Sequence, residues 1–262
     1  MSALFEAKAW IKHRIQARGP HGVHSPLVFY WITQVLRSDK HFFCFDEIEQ
    51  LRHQLVKDPT VLTIEDLGAG SRKGSNAHRS IASIVASAAN PAPHAQILFR
   101  LVNELKPQNI LELGTNLGIS TAYLAKANAA AQVYSIEGAK SLVDQAQKNL
   151  ARLGVTNVQL IHGSFQEQLG SVLKKMGKVN FAWIDGHHAE QPTIDYFLQI
   201  LDYCDDQSIL VFDDIHWSPG MERAWQFIKA HARVTLSLDF FHFGIVLFQK
   251  GREKEDFLLK LP

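Results

Sequence analysis

Cysteine is scarce: two residues in 262, Cys44 and Cys204, too far apart to suggest a disulfide framework. An excess of one charge is missing as well. Twenty-seven basic residues face 26 acidic ones, and a net charge of +1 leaves no electrostatic footprint for nucleic acid or for an anionic membrane. No apolar run reaches the length of a membrane span. The opening MSALFEAKAWIKHRI has an acid early and no long apolar stretch, unlike a secretory leader. Internal repeats, low-complexity tracts and basic stripes interleaved with aromatics are all absent. Together these absences predict a cytoplasmic protein with neither nucleic acid nor membrane as a partner. What is present, 46% hydrophobic and 20% charged residues, is ordinary for a globular chain. The length suits one large core with an N-terminal extension, or two small domains.

From Asn109 onward, short apolar runs alternate with segments of helical period, the signature of a parallel α/β sheet. Strands are expected near Asn109–Leu113, Gln132–Ile136, Val158–Ile161, Val179–Ile184 and Ser208–Asp213. In Ala139–Leu153, the residues Leu142, Ala146, Leu150 and Leu153 share one helical face, and Gly154 is placed to end the helix. Asp195–Tyr203 and Glu222–His231 read as helices too. Arg233–Gln249 reads as two strands around a bend at Asp239–His242, a hairpin at the edge of the sheet. Charged residues in Lys250–Asp256 read as a solvated tail. The first ninety residues differ: Ala3–Ala17, Leu27–Leu36 and Asp46–Lys57 look helical, Gly19–Pro26 is a turn-rich bend, and Ser71–Asn76 a basic mobile loop. The expected division is therefore a helical extension or lid over 1–90 and a second domain over 91–262. The extension could mediate a homodimer.

The most informative stretch is NILELGTNLGISTAYLA, Asn109–Ala125, followed by VYSIEG, Val133–Gly138. An apolar run ends near Glu112, a Gly114-x-x-x-Gly118 turn follows, and a helix opens. A second apolar run ends in Glu137, nineteen residues past Gly118. That is a strand–turn–helix–strand unit suited to an adenosine-containing ligand, with the glycines allowing close backbone approach and Glu137 placed to accept ribose hydroxyls. The dinucleotide fingerprint G-x-G-x-x-G is missing, and the residue two before Gly114 is a carboxylate, which repels pyrophosphate and attracts a cation. S-adenosylmethionine carries a sulfonium and an ammonium and no phosphate, so it is the expected cofactor; a nucleotide-dependent oxidoreductase is disfavoured. Val61–Ser71, VLTIEDLGAGS, looks similar but lacks the downstream strand and acid, and is read as a turn or part of a lid.

With ILELGTNLG, VYSIEG, IHGSFQE, FAWIDGHH and ILVFDDI in that order, Pro91–Gln249 resembles the class I S-adenosylmethionine-dependent methyltransferases, and within them the catechol O-methyltransferase-like small-molecule group. The resemblance implies an α/β, Rossmann-like, doubly wound sheet of seven mostly parallel strands whose last is antiparallel. It implies O-methylation of a small hydroxylated molecule. Carried over, Glu112, Gly114, Asn116, Gly118 and Ser120 line the methionine half of the cofactor, Glu137 binds the ribose, and Gly163, Ser164, Phe165 and Gln166 border the adenine. The chain has no Asn- or Asp-Pro-Pro-aromatic tetrapeptide of the sort amino-methylating relatives carry.

Asp185 follows the run Phe181–Ile184, and Asp213 and Asp214 end Ile209–Phe212. Three carboxylates at neighbouring strand ends repel one another unless something compensates, and a divalent ion such as Mg²⁺ is the simplest compensation. In the group resembled, acids matching Asp185, Asp213 and Asp214 hold such an ion, although Asp214 stands where an asparagine is common. If His216 joined them, Mn²⁺, Fe²⁺ or Zn²⁺ would suit the set better. His188, where the catechol-type enzymes carry a lysine, is the candidate base, since an imidazole titrates near ~6.5. Asp185 is counted with it as catalytic, and Asp185 and His187 as neighbours of the cofactor. Trp217, Pro219 and Gly220 are expected in a loop over the acceptor, Trp183 in the core, and Arg72, Lys73 and Arg79 within reach of an acidic substrate or simply solvated. A metal-independent enzyme of the same fold and a non-catalytic cofactor-binding module are the alternatives.

Overall fold

The computed structural model describes residues 3–65 and 76–260. In chain order the elements are α1 (Ala3–Gln16), α2 (Pro26–Tyr30) running into a π-helical stretch Trp31–Leu36, α3 (Phe43–Leu55), β1 (Val61–Glu65), β2 (Asn76–Ser80), α4 (Ile81–Ala88) and α5 (Ala92–Leu105). Strands and helices then alternate: β3 (Asn109–Leu113), α6 (Ile119–Ala127), β4 (Gln132–Glu137), α7 (Lys140–Arg152), β5 (Val158–His162) and α8 (Phe165–Met176). They continue as β6 (Phe181–Ile184), α9 (Glu190–Leu201), β7 (Ile209–Asp213), α10 (Pro219–Ala230), β8 (Leu236–Asp239), β9 (Phe243–Leu247) and β10 (Glu255–Leu258). The described residues divide into two compact units. A middle unit runs from Asp39 to Lys175, and a terminal unit joins the residues up to Ser38 with those from Met176 onward.

In the middle unit β3, β4 and β5 pair in parallel, with Leu111 opposite Tyr134 and Ser135 opposite Leu160. Strand β3 is apolar because it is covered on both faces, as parallel strands are: Ile110, Leu111 and Leu113 are fully buried. Helix α7 buries Leu142, Ala146 and Leu150, and Gly154 beyond its end has φ +66°, a left-handed turn that glycine adopts freely. Aromatic packing joins α3 to α5 and α6, with Phe45 centred 4.8 Å from Phe99 and 5.5 Å from Tyr123. Tyr123 donates to Glu49 at 2.9 Å and Lys126 to Glu47 at 2.7 Å. The first ninety residues are not helical throughout. Val61–Glu65 is an antiparallel partner of Asn76–Ser80, so the run that resembled a cofactor strand is one arm of a hairpin. Its tip, including most of the expected Ser71–Asn76 loop with Arg72 and Lys73, lies outside the described residues.

In the terminal unit β6 and β7 are parallel, and β9 runs antiparallel between β7 and β8. The hairpin expected in Arg233–Gln249 is there, but it is not an edge. Residues 255–258, expected in a solvated tail, form an additional strand parallel to β8, with Phe257 opposite Leu238. The sequence Glu-Asp-Phe-Leu over Glu255–Leu258 has no period-two alternation, so this strand carries no local signal and is defined by its pairing with β8. Among the described residues eight strands, β3 to β10, thus make up the mainly parallel ladders of this α/β fold, one more than the resemblance implied. Pro219 and Gly220 do not lie in a loop: Ser218 caps α10 through the Met221 N–H at 3.1 Å, and Pro219 occupies its first turn. On β9, a Cβ at Gly244 would stand 2.5 Å from the Trp225 ring, so only glycine lets α10 pack this closely.

Candidate active site

Within the middle unit the turn after β3 is built from left-handed backbone: φ is +102° at Gly114, +52° at Asn116 and +79° at Gly118. Gly118 serves helix packing rather than ligand approach, since a Cβ there would meet Ala146 at 3.2 Å and Leu150 at 3.5 Å on α7. Glu137 ties the tip of β4 to this turn. Its carboxylate accepts from the Asn116 N–H at 2.8 Å and the Ala139 N–H at 3.0 Å, and burial raises its pKa against the pull of these donors. Downstream, Gly163 has φ +139°, Ser164 accepts from the Glu167 N–H at 3.3 Å, and Phe165 opens α8.

Glu112 departs from expectation. It is 0% exposed, and its two oxygens accept from the hydroxyls of Ser120 (2.6 Å), Thr121 (2.5 Å) and Ser135 (2.6 Å). The carboxyl therefore locks β3, α6 and β4 together from inside and does not present its charge to a ligand. Ser120, expected against the cofactor, is 8% exposed and engaged in the same lock. Burial pushes Glu112 up to about 7 despite these hydroxyls. An acid whose folded pKa lies above its unfolded one stabilises least when both states are ionised. Stability should therefore fall as pH rises from about 4.5 to about 7, by on the order of 3 kcal/mol. Glu112→Gln is expected to flatten that dependence in urea titrations run between pH 5 and 8; an unchanged slope would assign it to another group.

Within the terminal unit the ends of β6 and β7 carry the candidate chemistry. Asp185 follows β6, and His187 and His188 have φ +65° and +28°; Asp214 after β7 has φ +53°. So much left-handed backbone at non-glycine residues marks a loop held by its surroundings. His188 stands between two acids, Nε2 3.5 Å from Asp185 Oδ1 and Nδ1 3.5 Å from Asp214 Oδ2. Burial holds this imidazole below its ordinary value, outweighing the attraction of Asp214. Asp213 is raised well above the ordinary carboxylate range by burial and by Asp185 and Asp214, and it shares a hydrogen bond with Asp185. The raised pKa of Asp213 and the imidazole of His188 beside Asp185 and Asp214 both ease the repulsion among these acids. Among the described residues no three His, Cys, Asp or Glu side chains are arranged to hold a metal ion. Asp185, Asp213 and Asp214 do not fit a divalent-ion site, because His188 takes up the space between two of them.

Two partners were not found by sequence reading. Tyr196, buried on α9, hydrogen-bonds His187 through its hydroxyl and stacks on that ring at 5.7 Å; only its place on the inward helical face hinted at this. Asp239 is the other. It accepts from His216 Nε2 and Trp225 Nε1, both at 2.9 Å, and from the Phe241 N–H at 3.0 Å, and it pairs with His13 Nε2 at 3.2 Å. Burial alone would raise Asp239, but the hydrogen bonds from His13 and His216 hold it well below the usual carboxylate range. His216 is thus committed to Asp239 rather than to a metal with Asp185. Trp183 lies in the core, 1% exposed, and Trp217 is 40% exposed. Arg79 bonds the Ser83 carbonyl at 3.2 Å and ties β2 to α4.

Residues 111–215 match the sequence profile of a family described as a methyltransferase domain. Protein-L-isoaspartate O-methyltransferase of Pyrococcus horikoshii is 36% identical over 116 residues, 44% of this chain and 50% of that protein. The chain thus spans about half the length of this curated relative, and 32% of the Chromobacterium violaceum one. Among solved structures, the O-methyltransferase TomG of Streptomyces achromogenes, in complex with S-adenosylmethionine, superposes with a TM-score of 0.56 at 20% identity, covering 85% of this chain and 95% of TomG. A Podospora anserina methyltransferase with S-adenosylhomocysteine bound gives 0.60 at 13% identity, covering 87% and 98%. Residues 111–215 are thus similar to a methyltransferase domain, and the chain shares the Rossmann-like α/β fold of these solved structures. No helix among the described residues is long and apolar enough to cross a membrane.

Proposed function

We propose that the protein transfers the methyl group of S-adenosylmethionine to a hydroxyl of a small molecule. His188 carries this reading: an imidazole held below its ordinary pKa, with a carboxylate 3.5 Å from each ring nitrogen. Neutral at pH 7, it can accept the hydroxyl proton while the oxygen attacks the methyl carbon. The O–CH₃ bond forms, the S–CH₃ bond breaks, the sulfonium becomes a thioether, and the imidazolium is stabilised by Asp185 and Asp214. Donor recognition is assigned to the middle unit, to the Gly114–Asn116 turn, Glu137 and the Gly163–Phe165 segment. Supporting that donor are the methyltransferase-domain match and the cofactors held by TomG and the Podospora enzyme. The curated relatives named above are protein-L-isoaspartate O-methyltransferases by name. A carboxylate is already ionised at neutral pH and needs no base, so His188 favours a hydroxyl acceptor.

The test is methyl transfer from labelled S-adenosylmethionine to a panel of phenols, catechols and sugars, with an isoaspartyl peptide alongside, in Mg²⁺ and in EDTA. Product on a hydroxylated acceptor, retained in EDTA, is expected. Tight S-adenosylhomocysteine binding with no product on any acceptor would favour a non-catalytic module, and product only on the peptide would replace the hydroxyl reading. Activity lost in EDTA and restored by Mg²⁺ would reinstate the metal.

A further inference from the structure

Helix α1 is attached to the terminal unit by its polar side. His13 is buried against Asp239, and Glu6 lies within electrostatic reach of Asp214 and His242. Each residue advances about 100° around a helix, so Ile11 and Ile15 lie about 200° from His13, on the opposite side. There the apolar residues face outward: Ile11 is 53% exposed and Ile15 78%, while Trp10, about 60° from His13 on the flank, is 45% exposed. Ala7, Ile11 and Ile15 make one i, i+4, i+8 stripe with Trp10 beside it. An amphipathic helix buries its apolar face in the core by default; α1, only weakly amphipathic, leaves this stripe outside.

Charge indicates what covers the stripe. The first thirty residues hold four cations, Lys8, Lys12, Arg14 and Arg18, against the single acid Glu6, a net of +3 that leaves −2 for the rest of a chain whose total is +1. Lys8 and Lys12 border the stripe on one side and Arg14 on the other, where its guanidinium lies 5.3 Å from the centre of the Trp10 ring. The acid on α1 points inward, so the outward side of α1 carries only basic charge. A second copy of the chain would set two such segments against each other, which like-charge repulsion disfavours. Tryptophan and isoleucine between lysines and arginines match the headgroup region of an anionic bilayer, where long cationic side chains reach up to the phosphates. We propose that α1 is a peripheral anchor that lays Trp10, Ile11 and Ile15 on an anionic lipid surface. Whole-chain charge concealed this, because averaging over 262 residues cancels a local excess. The proposal does not depend on the enzymatic reading.

Co-flotation of the full chain with phosphatidylcholine vesicles, with and without phosphatidylglycerol, tests it. Binding is expected to the mixed vesicles, weaker to phosphatidylcholine alone, and declining with salt, each surface cation contributing about fivefold. The doubles Ile11→Glu/Ile15→Glu and Lys8→Glu/Lys12→Glu should each lower binding at least about tenfold while circular dichroism and S-adenosylhomocysteine affinity stay unchanged. No flotation with either vesicle would overturn the anchor, as would flotation insensitive to both doubles. Sedimentation equilibrium showing a dimer abolished by Ile15→Glu, without vesicle binding, would assign the stripe to a second copy.

Discussion

Replacing His188 with alanine is expected to lower kcat by about 10²–10⁴ while leaving the affinity for S-adenosylhomocysteine unchanged, as read by calorimetry. The residues proposed to recognise the donor belong to the middle unit and His188 to the terminal one, so binding and turnover should separate. The pH dependence carries the sign. His188 is depressed by burial, so wild-type activity should fall only as pH drops below the ordinary imidazole range, where the base becomes protonated. In the alanine variant that acid limb should disappear. Asp185→Asn keeps the shape but removes a charge 3.5 Å from His188 Nε2; it should lower kcat by about 10-fold or more and move the limb to still lower pH, since an imidazolium loses a stabilising neighbour. An unchanged limb in both variants would remove His188 as the base.

Asp239→Ala is expected to cost about 3–5 kcal/mol of folding stability, the range for removing one partner from a buried charged cluster. It would leave His13, His216 and the Trp225 N–H, now bonded at 2.9–3.2 Å, facing an unpaired interior. Urea titration at pH 7 measures this, and a loss below about 1 kcal/mol would mean that water replaces the carboxylate without penalty. Because Asp239 is depressed in the folded state, its contribution is present above the unfolded value near ~3.9 and lost as pH falls toward the folded one. The gap between wild type and Asp239→Ala should therefore narrow in acid.

Much of the fold was legible because its signals are local. Strands β3, β4, β6 and β7 are short apolar runs, α7 shows its face at i, i+4 and i+8, and the Gly114–Gly118 turn requires backbone that few other residues adopt. Charge patterns misled where they were averaged or taken as solvated, as at β10 and α1. The strand-end acids stand where the sequence placed them, and His188 lies between two of them, where a cation was expected. Repulsion among Asp185, Asp213 and Asp214 is readable from their strand-end positions; whether a metal, a proton or an imidazole relieves it depends on a few ångströms of side-chain placement.

The succession of strands and helices, the Gly114–Gly118 turn and the identity of the strand-end acids follow from neighbouring residues, since periodicity and backbone preference act over a few positions. The burial of Glu112 among three hydroxyls, the insertion of His188 between two acids and the joining of His13 to Asp239, 226 positions away, belong to the packed chain alone. Such pairings are set by which surfaces meet on folding, and hydrogen bonds between distant residues leave no period or spacing in the sequence from which to read them.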